Sequence, residues 1–462
     1  MKKKIMPLVL LMAMALLMAS CLKDDNDNDY TYYNDTAITA FSLGTINQYV
    51  SSKTASGNDT TIKTTLVGSK YRFFIDQQND SIYNPDSLPC FSDVKHVLAT
   101  VSSKNGGVVF LKSLTSDSVT YYSSSDSIDF SEPREFRVLS QDGKSYRSYR
   151  VKVNVHQQEG DDFVWSKQAD FPFDLSQANG LKAIAKGDTL FLAADIQNYT
   201  TLFYTSLKDS LKWRVANSNI NTPFEKEAYK GVLAWNGYLY ILTDRMVLRS
   251  TDGEHWEQVS TQTSLQQLVA ASTTELYALS AEKTLKVSKD AGKTWTAEEL
   301  DDDSLLLPTD NISYTCSPLK TNSQVDRVMI VGTRSGDTYA KAWSKMVDYS
   351  DYPVPGKWSY VDVASDQTYN LRNMTGLTVF PYDGKALAIG YLNGTFSSVY
   401  QSPDGGITWK TTTDYCLPTG VVPNEVFTVT VDRNNYVWLL CKDGQVWRGR
   451  LNRLGWADSN LQ

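Results

Sequence analysis

Three aspartates recur in one word, and by type and spacing they are the carboxylates best placed to do chemistry. Ser288, Asp290, Gly292, Thr294 and Trp295 share the spacing S-x-D-x-G-x-T-W with Ser402, Asp404, Gly406, Thr408 and Trp409. Ser250, Asp252 and Trp256 form a third copy, one residue shorter. An aspartate in this setting could bind a metal ion or a substrate. It could equally accept hydrogen bonds from the backbone N–H groups of its own turn, as an Asx-turn does. The neighbours have local uses of their own. Gly adopts a backbone conformation that a Cβ disfavours, the Ser and Thr hydroxyls can tie two arms of a hairpin, and Trp plants a large apolar ring between sheets.

Few other residues are grouped for chemistry. The three histidines, His96, His156 and His255, are dispersed, so a histidine-rich metal centre is not expected and no cofactor is assigned. Four cysteines follow Cys21, namely Cys90, Cys316, Cys416 and Cys441, with neither a C-x-x-C word nor a disulfide framework. Cys441 continues the run Val437-Trp-Leu-Leu and reads as a small buried hydrophobe. A Cys416–Cys441 bridge is one pairing that stays open.

The three words resemble the Asp-box (BNR) hairpins of sialidase-like β-propellers. That resemblance implies turns at the propeller periphery, away from the axis where such folds bind ligands, and makes the aspartates structural. Sialidase chemistry needs three arginines on the substrate carboxylate, a Tyr nucleophile with a Glu partner, and an Asp acid/base. The family's first arginine stands in an Arg-Ile-Pro word ahead of the boxes, and this sequence has none. Arg245, Arg327, Arg334, Arg372 and Arg433 stand in no recognisable sialidase context and read as solvated turn or strand-edge residues. No catalytic residue is assigned.

The elements that would carry these words repeat at roughly 40–50 residues, the mark of a propeller. Trp213, Trp256, Trp295, Trp358, Trp409 and Trp456 each close a unit of β-rich runs separated by turn signals. Between Gly231 and Trp256 the runs are GVLAW, YLYIL and MVLRS, with Asn236-Gly237 and Thr243-Asp244-Arg245 as turns. Ser206 to Asp209 reads as a decayed box. Trp165, in FVWSKQADF, looks like an outer strand without inner strands before it, suited to complete the last blade and leave no exposed edge. Six blades over residues 163–462 is the reading, with seven the alternative.

Residues 36–156 hold strand-like runs but no such word. The closing run alternates, with Tyr149, Val151, Val153 and Val155 on one face and Arg150, Lys152, Asn154 and His156 on the other. It resembles the end of an Ig- or cadherin-like β-sandwich, and residues 157–162 read as a linker. Residues 1–20 stand apart as a leader, with Lys2, Lys3 and Lys4 before an apolar run that is short for a membrane span. Leu17-Met-Ala-Ser-Cys21 looks like a lipobox, which makes Cys21 the lipidation site. The acidic tether 21–35, with Asp24, Asp25, Asp27 and Asp29, resembles the export signal of Bacteroidetes surface lipoproteins.

Loss of Lys2, Lys3 and Lys4 with the leader takes the formal charge from −7 to −10, which argues against a nucleic-acid partner. Membrane association should then come from lipid on Cys21. The whole pattern resembles a Bacteroidetes lipoprotein family of unknown function. The expected protein is all-β, an Ig-like β-sandwich followed by an Asp-box propeller, anchored in the outer membrane and facing outward. It is expected to bind a glycan or a surface protein without catalysis. A sialidase-like glycoside hydrolase and a structural subunit of an outer-membrane complex are the alternatives.

Overall fold

The computed structural model describes residues 32–456 apart from 55, 57, 209–210 and 363–367. The leader, Cys21, most of the tether and Asp209 of the decayed box therefore lie outside the described residues. The chain divides into two units, essentially 1–157 and 158–457. Among the described residues, only short 3-10 turns interrupt the strands.

In the first unit a six-stranded sheet runs in the order Phe74–Asp76, Ser81–Tyr83, Tyr146–Lys152, Arg134–Leu139, Val108–Lys112, Val119–Tyr121. Ser81–Tyr83 and Tyr146–Lys152 are parallel, and the other neighbours are antiparallel. Tyr149 and Val151 are fully buried while Arg150 and Lys152 are exposed, which is the period of a half-buried strand. This strand lies inside the sheet, between two neighbours. Ile38–Leu43 pairs with Ala99–Ser103, and its Ile38, Phe41 and Leu43 join Phe136, Val138, Tyr149 and Val151 in one core. Thr45–Lys53 and Asp59–Val67 form a separate hairpin.

Among its described residues the second unit is a succession of six antiparallel sheets. Their first strands are Gly180–Lys186, Leu233–Trp235, Leu265–Ala271, Asp310–Leu319, Thr375–Tyr382 and Phe427–Val431. The second strands are apolar on both faces, as Thr189–Ile196 and Val437–Cys441 show, because each sheet packs between two others. Two-residue turns match the twist of their hairpins. Asn236 and Gly237 both have positive φ, at 46° and 81°, as the preferred two-residue hairpin turn requires.

A tryptophan stands at the fourth strand of every sheet and fills the gap to the sheet before it. Trp256 packs on Phe191 and Ala193 of the first sheet, Trp358 on Val269 and Tyr277 of the third, and Trp409 on Met329 and Val331 of the fourth. Trp213 does the same against Trp438 and Val446 of the sixth. The sixth sheet takes its fourth strand, Phe163–Lys167, from the opposite end of the unit, paired antiparallel with Val446–Leu451. Trp165 of that strand packs into the cluster of Phe380 and Leu387 from the fifth sheet. Trp456 closes no sheet, since it follows the 3-10 turn Asn452–Gly455, and Trp165 holds the place assigned to it.

Arg448 and Arg450 lie on the third strand of their sheet and stack on aromatic rings. Arg448 lies 4.4 Å and Arg450 4.1 Å from the Tyr436 ring centre. Cys416 and Cys441 are both free thiols, the first exposed and the second buried, so the bridge between them is not formed.

Candidate functional site

The three aspartate words share one hydrogen-bonding scheme. Ser402 Oγ donates to Asp404 Oδ1 at 2.9 Å and accepts from the Gly406 N–H at 2.8 Å. Asp404 also accepts from the Thr408 N–H at 2.9 Å and the Thr408 hydroxyl at 2.7 Å, while Trp409 Nε1 donates to the Gly406 carbonyl at 3.1 Å. Ser288, Asp290, Gly292, Thr294 and Trp295 repeat these contacts. In the shorter copy Ser250 contacts Asp252, and Trp256 Nε1 donates to the Gly253 carbonyl at 2.8 Å. His255 there takes the threonine's place, its Nδ1 lying 2.7 Å from Asp252.

These bonds require ionised carboxylates. The Thr294 hydroxyl and N–H hold the Asp290 pKa down to about 2. At Asp404 burial pushes the pKa up, but the Thr408 and Ser402 donors more than offset it. Gly406 has φ 93° and its Cα faces Met329 of the preceding sheet, so a side chain there would be both strained and crowded. Every carboxylate oxygen of Asp290 and Asp404 is engaged by its own turn. Among the described residues no group of three His, Cys, Asp or Glu side chains is arranged to hold a metal ion. Asp404→Ala is expected to lower stability by about 1–3 kcal/mol, the loss of a partly buried charged acceptor. Urea unfolding followed by tryptophan fluorescence checks this, and calcium or a chelator should leave the wild-type midpoint unchanged.

A cavity in the same unit is lined by none of these turn residues. That cavity, about 650 Å³, is walled by residues at the first strands of all six sheets, which places it on the axis they surround. Its wall is tied across the first and last sheets, where the Ala183 N–H donates to Thr428 Oγ1 at 2.8 Å. Threonine and asparagine side chains and free strand edges supply much of the polar surface. The charged groups are Lys182, Lys230, Asp310 and Glu425, and the tyrosines are Tyr229 and Tyr314.

Lys182 is the most unusual of these. Its Nζ donates to the Lys230 carbonyl at 2.6 Å, and burial pushes its pKa down to about 8. Gln267 Nε2 reaches the same carbonyl at 3.3 Å. Tyr229 lies with its hydroxyl against Gly180, where a Cβ would stand 1.9 Å from that oxygen. Burial, then Glu227 and Asp195, raise the Tyr229 pKa, so the hydroxyl stays a donor.

Arg245, Arg327, Arg334, Arg372 and Arg433 do not line the cavity, nor does any other arginine. Arg433 pairs with Asp188, and Arg334 donates to the Leu307 carbonyl at 3.3 Å. The three-arginine carboxylate clamp of sialidases therefore has no counterpart on this axis. The cavity residues themselves went unnoticed in the sequence. The only signal was a lysine inside the otherwise apolar run GLKAIA, and its neighbours on other sheets are dozens of residues away.

Residues 159–459 match the family model described as the DUF6242 beta propeller domain. Residues 41–153 match the one described as the Domain of unknown function (DUF6242) N-terminal domain. A comparison with curated proteins finds no match. Similar solved structures include YCF48 bound to D1 peptide, with 14% identity over 62% of this chain and 96% of that one, at a TM-score of 0.35. The WD40 domain of Toxoplasma gondii coronin has 12% identity over 65% and 90%, at 0.36. The Trichoderma reesei carbohydrate-active enzyme of family AA12 has 10% identity over 63% and 96%, at 0.38. With both of its units matched and the larger match spanning well over half its length, the chain belongs to the DUF6242 family and carries that family's β-propeller domain.

Proposed function

We propose that this protein is a surface lipoprotein whose six-bladed, Asp-box propeller binds a glycan without catalysis. The observation that supports the binding reading most is the axial cavity. It is large enough for more than one sugar ring, and it offers hydroxyl, amide and backbone groups suited to sugar hydroxyls. Its lack of arginine removes the means by which a sialidase would fix its substrate. In this reading residues 1–20 are the signal peptide, Cys21 carries the lipid, and 21–35 is an acidic tether. The first unit is a small Ig-like β-sandwich between tether and propeller in the sequence.

A glycan array followed by calorimetric titration tests binding. Saturable binding of a host or dietary polysaccharide with no release of reducing ends supports the proposal. Binding of none, with a stoichiometric protein recovered from solubilised outer membranes, would replace it with an accessory role. The address is tested separately. Cys21→Ala is expected to abolish fatty-acid labelling and to move the protein from the membrane to the soluble fraction, since two or more acyl chains are what make such anchoring stable.

A further inference from the structure

We infer that the axial cavity seats a uronic acid, with the sugar carboxylate bound by Lys182. The inference rests on the reading of the propeller as a glycan-binding module and names the chemistry of its ligand.

Lys182 lies on the first strand of the first sheet, Gly180–Lys186. An ammonium has three N–H donors, and the Lys230 carbonyl occupies one of them. Burial lowers its pKa, and among the described residues Lys182 forms no ion pair with a carboxylate. Other lysines of this unit are treated differently. Lys345, more deeply buried, is given two carboxylates, and Lys230 itself pairs with Glu227. Lys182 is a half-buried cation on the cavity wall without a paired carboxylate, and an incoming anion would supply that counter-charge.

The surroundings narrow the anion. Gln267 is drawn to the same carbonyl from another sheet, and the Tyr229 hydroxyl adds a donor on the same wall. The charge is a single compact ammonium, suited to one carboxylate. Asp310 and Glu425 also line the cavity, so the second negative charge of a phosphate dianion is disfavoured there more than the single charge of a carboxylate. The remaining space and its hydroxyl and amide groups suit a sugar body.

The test uses the full chain purified in detergent, with lysines carrying a carbon-13 label at Cε, and Lys182→Met to identify the Lys182 signal. Glucuronate and galacturonate at millimolar concentration are expected to shift that signal saturably and to move its titration midpoint upward. Glucose and the methyl esters of both acids are expected to bind at least about tenfold more weakly, the worth of a charge-assisted hydrogen bond. Affinity for the acids should fall as pH rises through the Lys182 pKa. The other titratable groups of the wall, Tyr229, Lys230, Asp310, Tyr314, Cys316 and Glu425, and the Asp195 and Glu227 carboxylates that act on Tyr229, remain when Lys182 is replaced, so this pH dependence should vanish in Lys182→Met. Equal shifts with acids and esters, or no shift with either, overturn the inference. A polysaccharide bound equally well by Lys182→Met would also overturn it while leaving the binding function in place.

Discussion

Lys345→Met is expected to lower the stability of the propeller unit by about 3–5 kcal/mol, the range for removing one partner of a buried ion pair. Lys345 is 5% exposed on the fourth sheet. Its Nζ donates to Glu275 Oε2 at 3.1 Å and to Glu298 Oε2 at 2.7 Å, both brought by the third sheet. The Tyr277 hydroxyl donates to the same Glu275 oxygen, and Lys289 approaches the other at 3.1 Å. Methionine fills much of the same volume, so the loss is one of charge. Glu275 would then keep only the exposed Lys289 as a cationic neighbour, and Glu298 would lose the ammonium it pairs with. All 11 tryptophans lie between Trp165 and Trp456, so tryptophan fluorescence in urea reports on this unit alone. An unchanged midpoint would mean that the cluster is solvated in the native state and stabilises nothing.

The pH dependence gives a second check with a definite sign. Burial pushes the Glu275 carboxyl up, but the Tyr277 hydroxyl and the Lys345 ammonium more than offset it, leaving a depressed pKa. Such a group contributes stability that is present above its unfolded pKa, about 4.3, and lost as pH falls through the folded value. In Lys345→Met the burial penalty remains without the ammonium, so the carboxylate destabilises at neutral pH and less so once protonated. Wild type and variant should therefore converge in stability below about pH 4. Adding Glu275→Gln to Lys345→Met should recover part of the loss, because the two residues are in direct contact and their effects do not add.

These contacts explain which parts of the molecule could be read from the chain. Turns, alternation and the tryptophan spacing are local or periodic, and they pointed to the strand runs around Gly231–Trp256 and to Trp165 as a strand awaiting partners. The same periodicity misled at Trp456, which falls at the right interval but lies beyond the last strand. The polar groups between and inside the sheets have no such signature. Lys345 meets Glu275 from 70 residues away, and Lys182 meets the Lys230 carbonyl from 48. Each is a lysine in a strand run, indistinguishable by type from a solvated one. Only the packing of one sheet on the next decides that one is neutralised and the other is not.

Gly449→Val should open the ring of sheets, and this is the second large effect expected. Phe163–Lys167 is held to the sixth sheet by pairing with Val446–Leu451, in which Trp165 lies opposite Gly449. A Cβ on Gly449 would come within 2.4 Å of the Trp165 ring and 2.7 Å of Phe163. Both rings are held by neighbours. Phe163 packs on Tyr382 and Tyr415, and Trp165 Nε1 donates to the Cys416 carbonyl at 2.7 Å. Overpacking of this kind typically costs about 1–3 kcal/mol. If the strand is expelled, Val446–Leu451 also becomes an unpaired edge, a template for pairing with another chain. The expected result is a lower urea midpoint together with concentration-dependent association in size-exclusion chromatography. Trp165→Ala combined with Gly449→Val separates the causes. If crowding is the fault, the double variant loses less than the sum of the two single changes. A strictly additive loss would show that closure depends on the backbone ladder and not on the seating of Trp165 over Gly449.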